Sequence, residues 1–456
     1  MKPLPFTALA AMSGGRLVHG PEARTATRVV TDSRGILPGD VFVALPGEKF
    51  DGHAFVAEAA RKGAVAAMVQ QDVPGDGLPQ GFGVIRVQDC LAGLQSLAAR
   101  YRESLGVRVV AVTGSNGKTS TKEFMAAVLG HCGATRKTVG NLNNHIGVPL
   151  TLLQIEPGDT WAVVEMGMNH PGELRPLVRM ARPEFGVITS AGWAHIEHFA
   201  DREAIAREKA EVALGLPREG RAWLQGDNPM LRALAREISA PVCWVGSEPE
   251  NDVRVRVERI DASGTRFIIE ADGFAGEFFV PVPGAHMAEN AAFAVALGLH
   301  LGMGDEALRE GLAAAALPKG RLALRAWRDG WLLDDTYNAN PDSMAAAFRT
   351  LMALPGVGRG VALLGSMGEL GARTEELHRW VGGEAARAGL AWVLALGPGA
   401  TWLAQGAREA GAQADIFETH EAMAAAYLAG HQRGDRIVAK GSRSQAMERV
   451  TALLEH

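Results

Sequence analysis

Cysteine is scarce in this chain: Cys90, Cys132 and Cys243 are scattered among 456 residues. Three such residues neither staple a fold nor space themselves as a zinc site, so reduced thiols in a cytosolic protein are expected. There is no surplus of positive charge either. A formal net charge of −5 argues against a general nucleic-acid or anionic-membrane binder, so an anionic substrate must be met by local cations. Long apolar runs are missing too. The stretch from Ala291 to Leu301 is far short of a membrane span. Leu4 to Met12 is too weak for a signal peptide, with Pro3, Pro5 and Gly14-Gly15 interrupting it. Any contact with membrane-bound machinery is expected to be peripheral. Heptads, repeats and low-complexity tracts are also absent. What remains is an ordinary globular composition, 47% hydrophobic and 21% charged, over more residues than one core organises.

What is present centres on Arg108 to Phe124. An apolar, β-branched run ends at Thr113, then Gly114-Ser115-Asn116-Gly117-Lys118-Thr119-Ser120 opens an amphipathic segment. Strand, phosphate loop, helix is the implied order. Glycines let backbone N–H groups converge on an anion, and the helix start adds partial positive charge. Lys118 then reaches a terminal phosphate and the Thr119 hydroxyl holds Mg²⁺. The spacing is shorter than the common G-x-x-x-x-G-K-T, because Val112 occupies the outer glycine position. Nucleoside triphosphate binding is expected.

Three blocks are expected, 1–103, 104–318 and 319–456. In the first, Arg28 to Val30 and Val41 to Leu45 read as strands, His53 to Lys62 as a helix, and Val73 to Gly83 as a surface loop. In the second, Trp161 to Met166 and Phe185 to Thr189 are strand-like between helical segments, which argues a largely parallel sheet. Val253 to Val282 turns to β-rich segments split by Gly264 and Gly273, and a helix follows from His286. Past the hinge-like Pro318 to Arg321, four strand candidates (Trp331 to Asp335, Gly360 to Gly365, Trp392 to Gly397, Arg436 to Lys440) form a second, Rossmann-like α/β unit without a G-x-G-x-x-G fingerprint.

Several residues stand where such sheets display chemistry. Glu165 ends a strand and is either a Mg²⁺ ligand or a cap for the next helix. His195 and His198 follow another strand, and bind metal or share a helical turn. Ile205, Lys209 and Val212 fall on one apolar helical stripe. Lys209 is then either a snorkelling stem or a buried amine, neutral and open to covalent modification. Asn290 and Asp335 suit an adenine edge and a ribose, and Lys440-Gly441-Ser442-Arg443 a carboxylate or phosphate oxygen.

In order and spacing these segments resemble the Mur ligases of peptidoglycan synthesis. The resemblance runs from Thr31-Asp32-Ser33-Arg34 and Asp51-Gly52-His53 through the phosphate loop and Gly140 to Pro149, which contains Asn141, Asn143 and Asn144. It continues through Glu165-Met166-Gly167, Ala194-His195-Ile196-Glu197, Asp334 to Ser343, Gly368 to Gly371 and Lys440 to Ser444. It implies a small α/β UDP-sugar domain, a central ATPase domain and a C-terminal domain receiving an amine. The stretch from Asp334 to Ser343 points within the family to the branch that joins D-alanyl-D-alanine to a UDP-linked muramoyl tripeptide.

The resemblance further implies an ATP-made acyl phosphate, with Lys118, His195 and Lys209 catalytic. Mg²⁺ would be held by Thr119, Glu165, His195 and a carbamylated Lys209. Asn290, Arg321 and Asp335 match nucleotide contacts, while Asp32, Ser33 and Arg34 match the UDP-sugar side. Asn141, Asn143, Asn144, Asn338, Asn340, Lys440, Ser442 and Arg443 are expected to face substrate. A monomer acting on small molecules is implied. Met287, Ser190 and Ser366 depart from the family pattern, which has asparagine at the first two and commonly aspartate at the third. Rival readings are a sister amide ligase, such as the one adding the third peptide residue or a folylpolyglutamate synthase, and a non-catalytic P-loop switch or transport ATPase. Against a switch stand Glu165, His195 and Lys209 together with a C-terminal block that no switch needs.

Overall fold

The computed structural model describes residues 1–47, 49–73 and 77–455. The chain forms two compact units. One comprises Met1–Ala111, Cys132–Met168 and Gly172–Phe185; the other comprises Val112–His131, Asn169–Pro171 and Gly186–His456.

In the first unit a five-stranded sheet runs in the order Arg16–His19, Gly83–Arg86, Ala66–Val69, Asp40–Val43, Arg28–Val30. Only Arg16–His19 is antiparallel to its neighbour. Asp40–Val43 and Ala66–Val69 are buried along their whole length, as central parallel strands covered on both faces must be. Phe42, Val56, Ala59, Ala67 and Phe82 form the core beneath. The expected helix after His53 is a 3₁₀ turn, Gly52–Phe55, leading into Val56–Arg61. Arg16–His19, Ala66–Val69 and Gly83–Arg86 are strands that the pattern did not signal. The first is too exposed to alternate, and the other two are short. Of the surface loop expected over 73–83, residues 74–76 lie outside the described residues, and Gly83 begins a strand. The helix Cys90–Glu103 is capped by Asp89, whose carboxylate accepts the Ala92 N–H at 2.7 Å. This unit also holds Trp161–Glu165, fully buried and parallel to Thr135–Lys137.

In the second unit one sheet has the order Phe274–Val280, Gly264–Ala271, Val253–Asp261, Val242–Gly246, Arg221–Gln225, Phe185–Ile188. The three strands from Val253 to Val280 are the expected antiparallel edge, while Val242–Gly246 runs parallel to both Val253–Asp261 and Arg221–Gln225. Ala285–His300 is the expected helix and is almost wholly buried. The six-stranded sheet of the C-terminal block runs Ala323–Trp327, Gly330–Asp334, Arg436–Lys440, Gly360–Gly365, Leu390–Leu396, Gln413–Phe417. Its outer pair Ala323–Trp327 and Gly330–Asp334 is antiparallel and the rest parallel. Trp327, Leu363, Trp392, Tyr427 and Ile437 pack its core. Gly330–Asp334 stops one residue earlier than expected, so Asp335 follows the strand. Because that strand is the parallel neighbour of Arg436–Lys440, Asp335 and Lys440 emerge side by side. Among the described residues no helix is long and apolar enough to cross a membrane.

Candidate active site

The phosphate loop is held by two neighbouring hydroxyl residues, Thr189, whose Oγ1 donates to the Asn116 carbonyl, and Ser190. Ser190 accepts the Asn116 N–H on Oγ (2.8 Å) and the Ser115 N–H on its carbonyl (3.0 Å). The departure from asparagine at this position therefore leaves a side chain that still fastens the loop. Gly117 takes the left-handed conformation, φ +82°, and a Cβ there would fall 2.2 Å from Asn290 Oδ1. Only glycine meets both demands. The helix Lys118–Leu129 begins at once, and the amides of its first turn have no intrahelical partner, the usual anion-binding arrangement. Lys118 Nζ donates to the Gly114 carbonyl at 2.7 Å, which lays the ammonium across the loop.

Lys209 lies in the helix Arg202–Leu214, whose cap Asp201 accepts the Ala204 N–H. Its side chain is 1% exposed and Ile205 and Val212 are fully buried, so the snorkelling alternative is excluded. Burial holds its pKa well below that of an ordinary lysine, the nearby Lys118 charge pushes the same way, and Glu208 opposes. Burial thus shifts the amine toward its neutral, nucleophilic form.

His195 has φ +64° and opens the 3₁₀ turn Ile196–His198. Its Nδ1 lies 2.6 Å from Glu369 Oε2. A carboxylate on one ring nitrogen orients the other toward a metal or phosphate. The hydrogen bond from His195 holds the Glu369 carboxyl below its usual range, with His198 and His170 adding to the effect. In the first unit, Glu165 ends its strand 2% exposed, its N–H bonded to Thr138 Oγ1 and its Oε1 accepting from Asn143 Nδ2 at 2.8 Å. Asn143, expected at the substrate, thus orients the candidate ligand. Asn144 caps the turn at Ile146 and Gly147, and Asn141 is exposed. Asp32 and Arg34 pair with each other at 2.7 Å on the surface, and Lys62 donates to the Ser33 carbonyl.

Asn290 is buried against Gly117, and its Nδ2 faces the Met287 sulfur at 3.8 Å. Arg321 stacks on the Tyr337 ring at 4.2 Å. Asp335 accepts the Leu322 N–H on Oδ1 and binds Lys440 Nζ at 2.5 Å on Oδ2. Lys440 also donates to the Asn338 carbonyl and is 3% exposed, so its charge is spent within the protein. Asn338 Oδ1 accepts the Arg443 N–H, Ser442 Oγ lies 3.0 Å from Ser444 Oγ, and the exposed Arg443 pairs with Glu448. Ser366, the third departure, accepts the Gly399 N–H and donates to the Leu396 carbonyl through its hydroxyl, and its own carbonyl accepts the Ser442 N–H.

Several contacts that shape the site were not read from the sequence, among them one between Asn116 and Asn340, which were expected at the nucleotide and the substrate. Asn116 and Asn340 exchange amide hydrogen bonds at 2.8 and 3.2 Å. Asp342 accepts the Trp193 N–H at 2.9 Å. Arg202 and Arg373 lie over the Trp193 ring, at 5.0 and 5.4 Å. All of these pairs but Arg202–Trp193 join residues at least 149 positions apart, which leaves no local periodicity to read.

The geometry has its counterpart among known proteins. The Mur ligase family catalytic domain matches residues 25–102, the Mur ligase middle domain 112–298, and the glutamate ligase domain of Mur ligases 320–443. The UDP-N-acetylmuramoyl-tripeptide–D-alanyl-D-alanine ligase of Escherichia coli K12 is 38% identical over 436 residues, covering 94% of each chain. A solved MurF structure from Acinetobacter baumannii superposes with a TM-score of 0.91 at 30% identity, over the full length of both chains. MurF from Thermotoga maritima, solved with ADP, gives 0.83 at 28% identity, over 94% of this chain and 97% of that one. With three family domains in order on one three-domain α/β chain, and whole-length likeness to ligases of that family, this chain belongs to the Mur ligase family.

Proposed function

We propose that the protein is the ATP-dependent ligase joining D-alanyl-D-alanine to UDP-N-acetylmuramoyl-tripeptide, releasing ADP and phosphate. The observation that carries the reading is a phosphate loop with Lys118 across it, in a chain matched from end to end by relatives bearing that activity in their names. A carboxylate resists an amine because its oxygen is a poor leaving group. Phosphorylation by ATP yields an acyl phosphate, which the dipeptide amine then attacks, expelling phosphate. Attack of one anion on another needs compensating charge, and Lys118 supplies it at the loop.

Thr119, Glu165 and His195 offer the hydroxyl, carboxylate and imidazole donors that suit Mg²⁺, and a carbamate on Lys209 adds another anionic oxygen donor. Mg²⁺ would supply charge neutralisation at the phosphates. The lowered basicity of buried Lys209 favours such a carbamate, formed by attack of the amine lone pair on carbon dioxide with loss of one proton. Asn290, Arg321 and Asp335 take the nucleotide, Asp32, Ser33 and Arg34 the UDP-sugar, and the loops after Gly330–Asp334 and Arg436–Lys440 the dipeptide. A cytoplasmic setting follows, since ATP and UDP-linked precursors are available there. The test is product formation from a panel of UDP-muramoyl peptides with D-Ala-D-Ala, D-alanine, diaminopimelate or lysine. Turnover only with tripeptide plus dipeptide supports the reading, and preference for diaminopimelate or lysine moves the protein to a sister ligase.

A further inference from the structure

The C-terminal block grips two loops that carry the chemistry. At the start of the helix Pro341–Ala353, the Asn340 side chain is fully engaged. Its Oδ1 accepts the Ser343 N–H at 3.0 Å as a cap and also accepts from Asn116 Nδ2, while its Nδ2 donates to Asn116 Oδ1. Two residues on, Asp342 accepts the Trp193 N–H. That approach requires Gly192, where a Cβ would lie 2.1 Å from Asp342 Oδ2. Asn116 sits inside the phosphate loop two residues before Lys118, and Trp193 two residues before His195. The same second loop is met by Glu369 at His195, by the Glu369 carbonyl at the Glu197 N–H, and by Arg373 over Trp193.

We propose that Asn340 and Asp342 are positioning residues that clamp the phosphate loop and the His195 loop to the C-terminal block. The acyl phosphate is then shielded from water only while that block is seated. Asn340 and Asp342 touch no reacting atom in this scheme and act through Asn116 and Trp193. A cap alone does not account for the arrangement. Capping uses one lone pair of Asn340, whereas the amide exchange uses the whole carboxamide and reaches a residue 224 positions away. The proposal rests on the ligase reading above. When the clamp is loosened, water attacks the acyl carbon, phosphate departs, the carboxylate is regenerated, and an ATP is spent without an amide.

Asn340→Ser keeps a good cap but is too short to reach Asn116. Asp342→Ala removes the acceptor for Trp193, and Asp342→Asn retains one. Two measurements are made on the full-length protein. The first is phosphate released per amide formed with tripeptide and D-Ala-D-Ala. The ratio should be one for wild type and Asp342→Asn, and about two or more for Asn340→Ser and Asp342→Ala. The second is amide hydrogen exchange of ligand-free protein over the peptides containing Asn116 and Trp193. It should quicken about tenfold or more in the same two variants, with exchange in the strands Gly360–Gly365 and Leu390–Leu396 unchanged. A ratio that stays at one in both variants, or unchanged exchange at both loops, overturns the clamp. Absence of amide product from the wild type overturns the ligase reading instead, and the exchange measurement still judges the clamp.

Discussion

Replacing Gly117 by alanine separates two consequences of one glycine. The first is conformational. At φ +82° an L-residue carries a strain of about 1–2 kcal/mol, borne by the folded protein whether or not nucleotide is present. The second is steric. The new Cβ would sit 2.2 Å from Asn290 Oδ1, whereas ordinary contact needs about 3.5 Å, so the loop or Asn290 must move by roughly 1 Å. Asn290 is 6% exposed and packed against Met287, so the loop carries much of the shift. A displacement of that size at a positioning loop costs on the order of 10²-fold in rate, about 3 kcal/mol.

Gly117→Ala should therefore lower kcat/KM for ATP about a hundredfold and the thermal midpoint by a few degrees. Asn290→Ala removes the collision but not the strain. In the double variant the stability loss should persist, while the rate exceeds the product of the single effects by about tenfold, the mark of contacting residues. Steady-state kinetics and thermal melts on the four proteins give the cycle. Strictly multiplicative rates, or near-wild-type turnover of Gly117→Ala, would refute the reasoning.

Lys209→Ala should be nearly inactive yet regain part of its activity with added short carboxylates, and Lys209→Arg should be inactive because a guanidinium holds no carbamate; turnover measured with and without acetate decides it. Of the two cations expected at the dipeptide carboxylate, Lys440 is buried on Asp335, whereas Arg443 is held only by an exposed pair with Glu448 that contributes little. Amidating the dipeptide C-terminus should thus weaken its use by about 1.5–3 kcal/mol, and Arg443→Ala should erase most of that difference; equal use of free and amidated dipeptide by wild type would exclude the contact. Burial lowers the His286 pKa from 6.5 to about 4, so its contribution to stability is full above pH 6.5 and is lost as pH falls through 4. Burial raises the Glu289 pKa from 4.5 to about 7, so its contribution is full below pH 4.5 and is lost as pH rises through 7. Glu289→Gln should gain stability relative to wild type between pH 4.5 and 7, and a pH-independent difference in denaturant midpoint would contradict this.

The legible parts of this protein are those in which a local rule and a chemical need coincide. The phosphate loop is readable because the turn needs glycine and the helix start needs no side chain, so the signal is compressed into Gly114 to Thr119. Lys209 is readable because a lysine breaks an otherwise apolar stripe, and the structure resolves the ambiguity in favour of burial. Glu165 is readable as a carboxylate at the end of a buried strand, which is where the structure places it. By contrast, Asp335 and Lys440 read as separate contacts in sequence, one to the nucleotide and one to substrate, because nothing local reveals that their strands are neighbours. The sheet order pairs them and neutralises both. The family departures show the same limit from the other side. Ser190 looks like a lost amide until its hydroxyl and carbonyl are seen fastening Ser115 and Asn116.

Long-range pairing also explains why the C-terminal block matters to a site whose nucleotide motif lies in the middle of the chain. Lys118 opens a helix directly after the phosphate loop and His195 lies in a loop, and loops hold catalytic geometry only as well as their supports do. Ser190 supports the first loop locally, through partners about 75 residues apart. Asn340, Asp342, Glu369 and Arg373 support both loops from elements that could have been folded elsewhere. A ligase that makes a water-labile acyl phosphate gains from that division. On the ligase reading, the local support does not depend on the C-terminal block, whereas the remote support is complete only when that block is seated. The chemistry is thereby tied to the presence of the domain that must finish it.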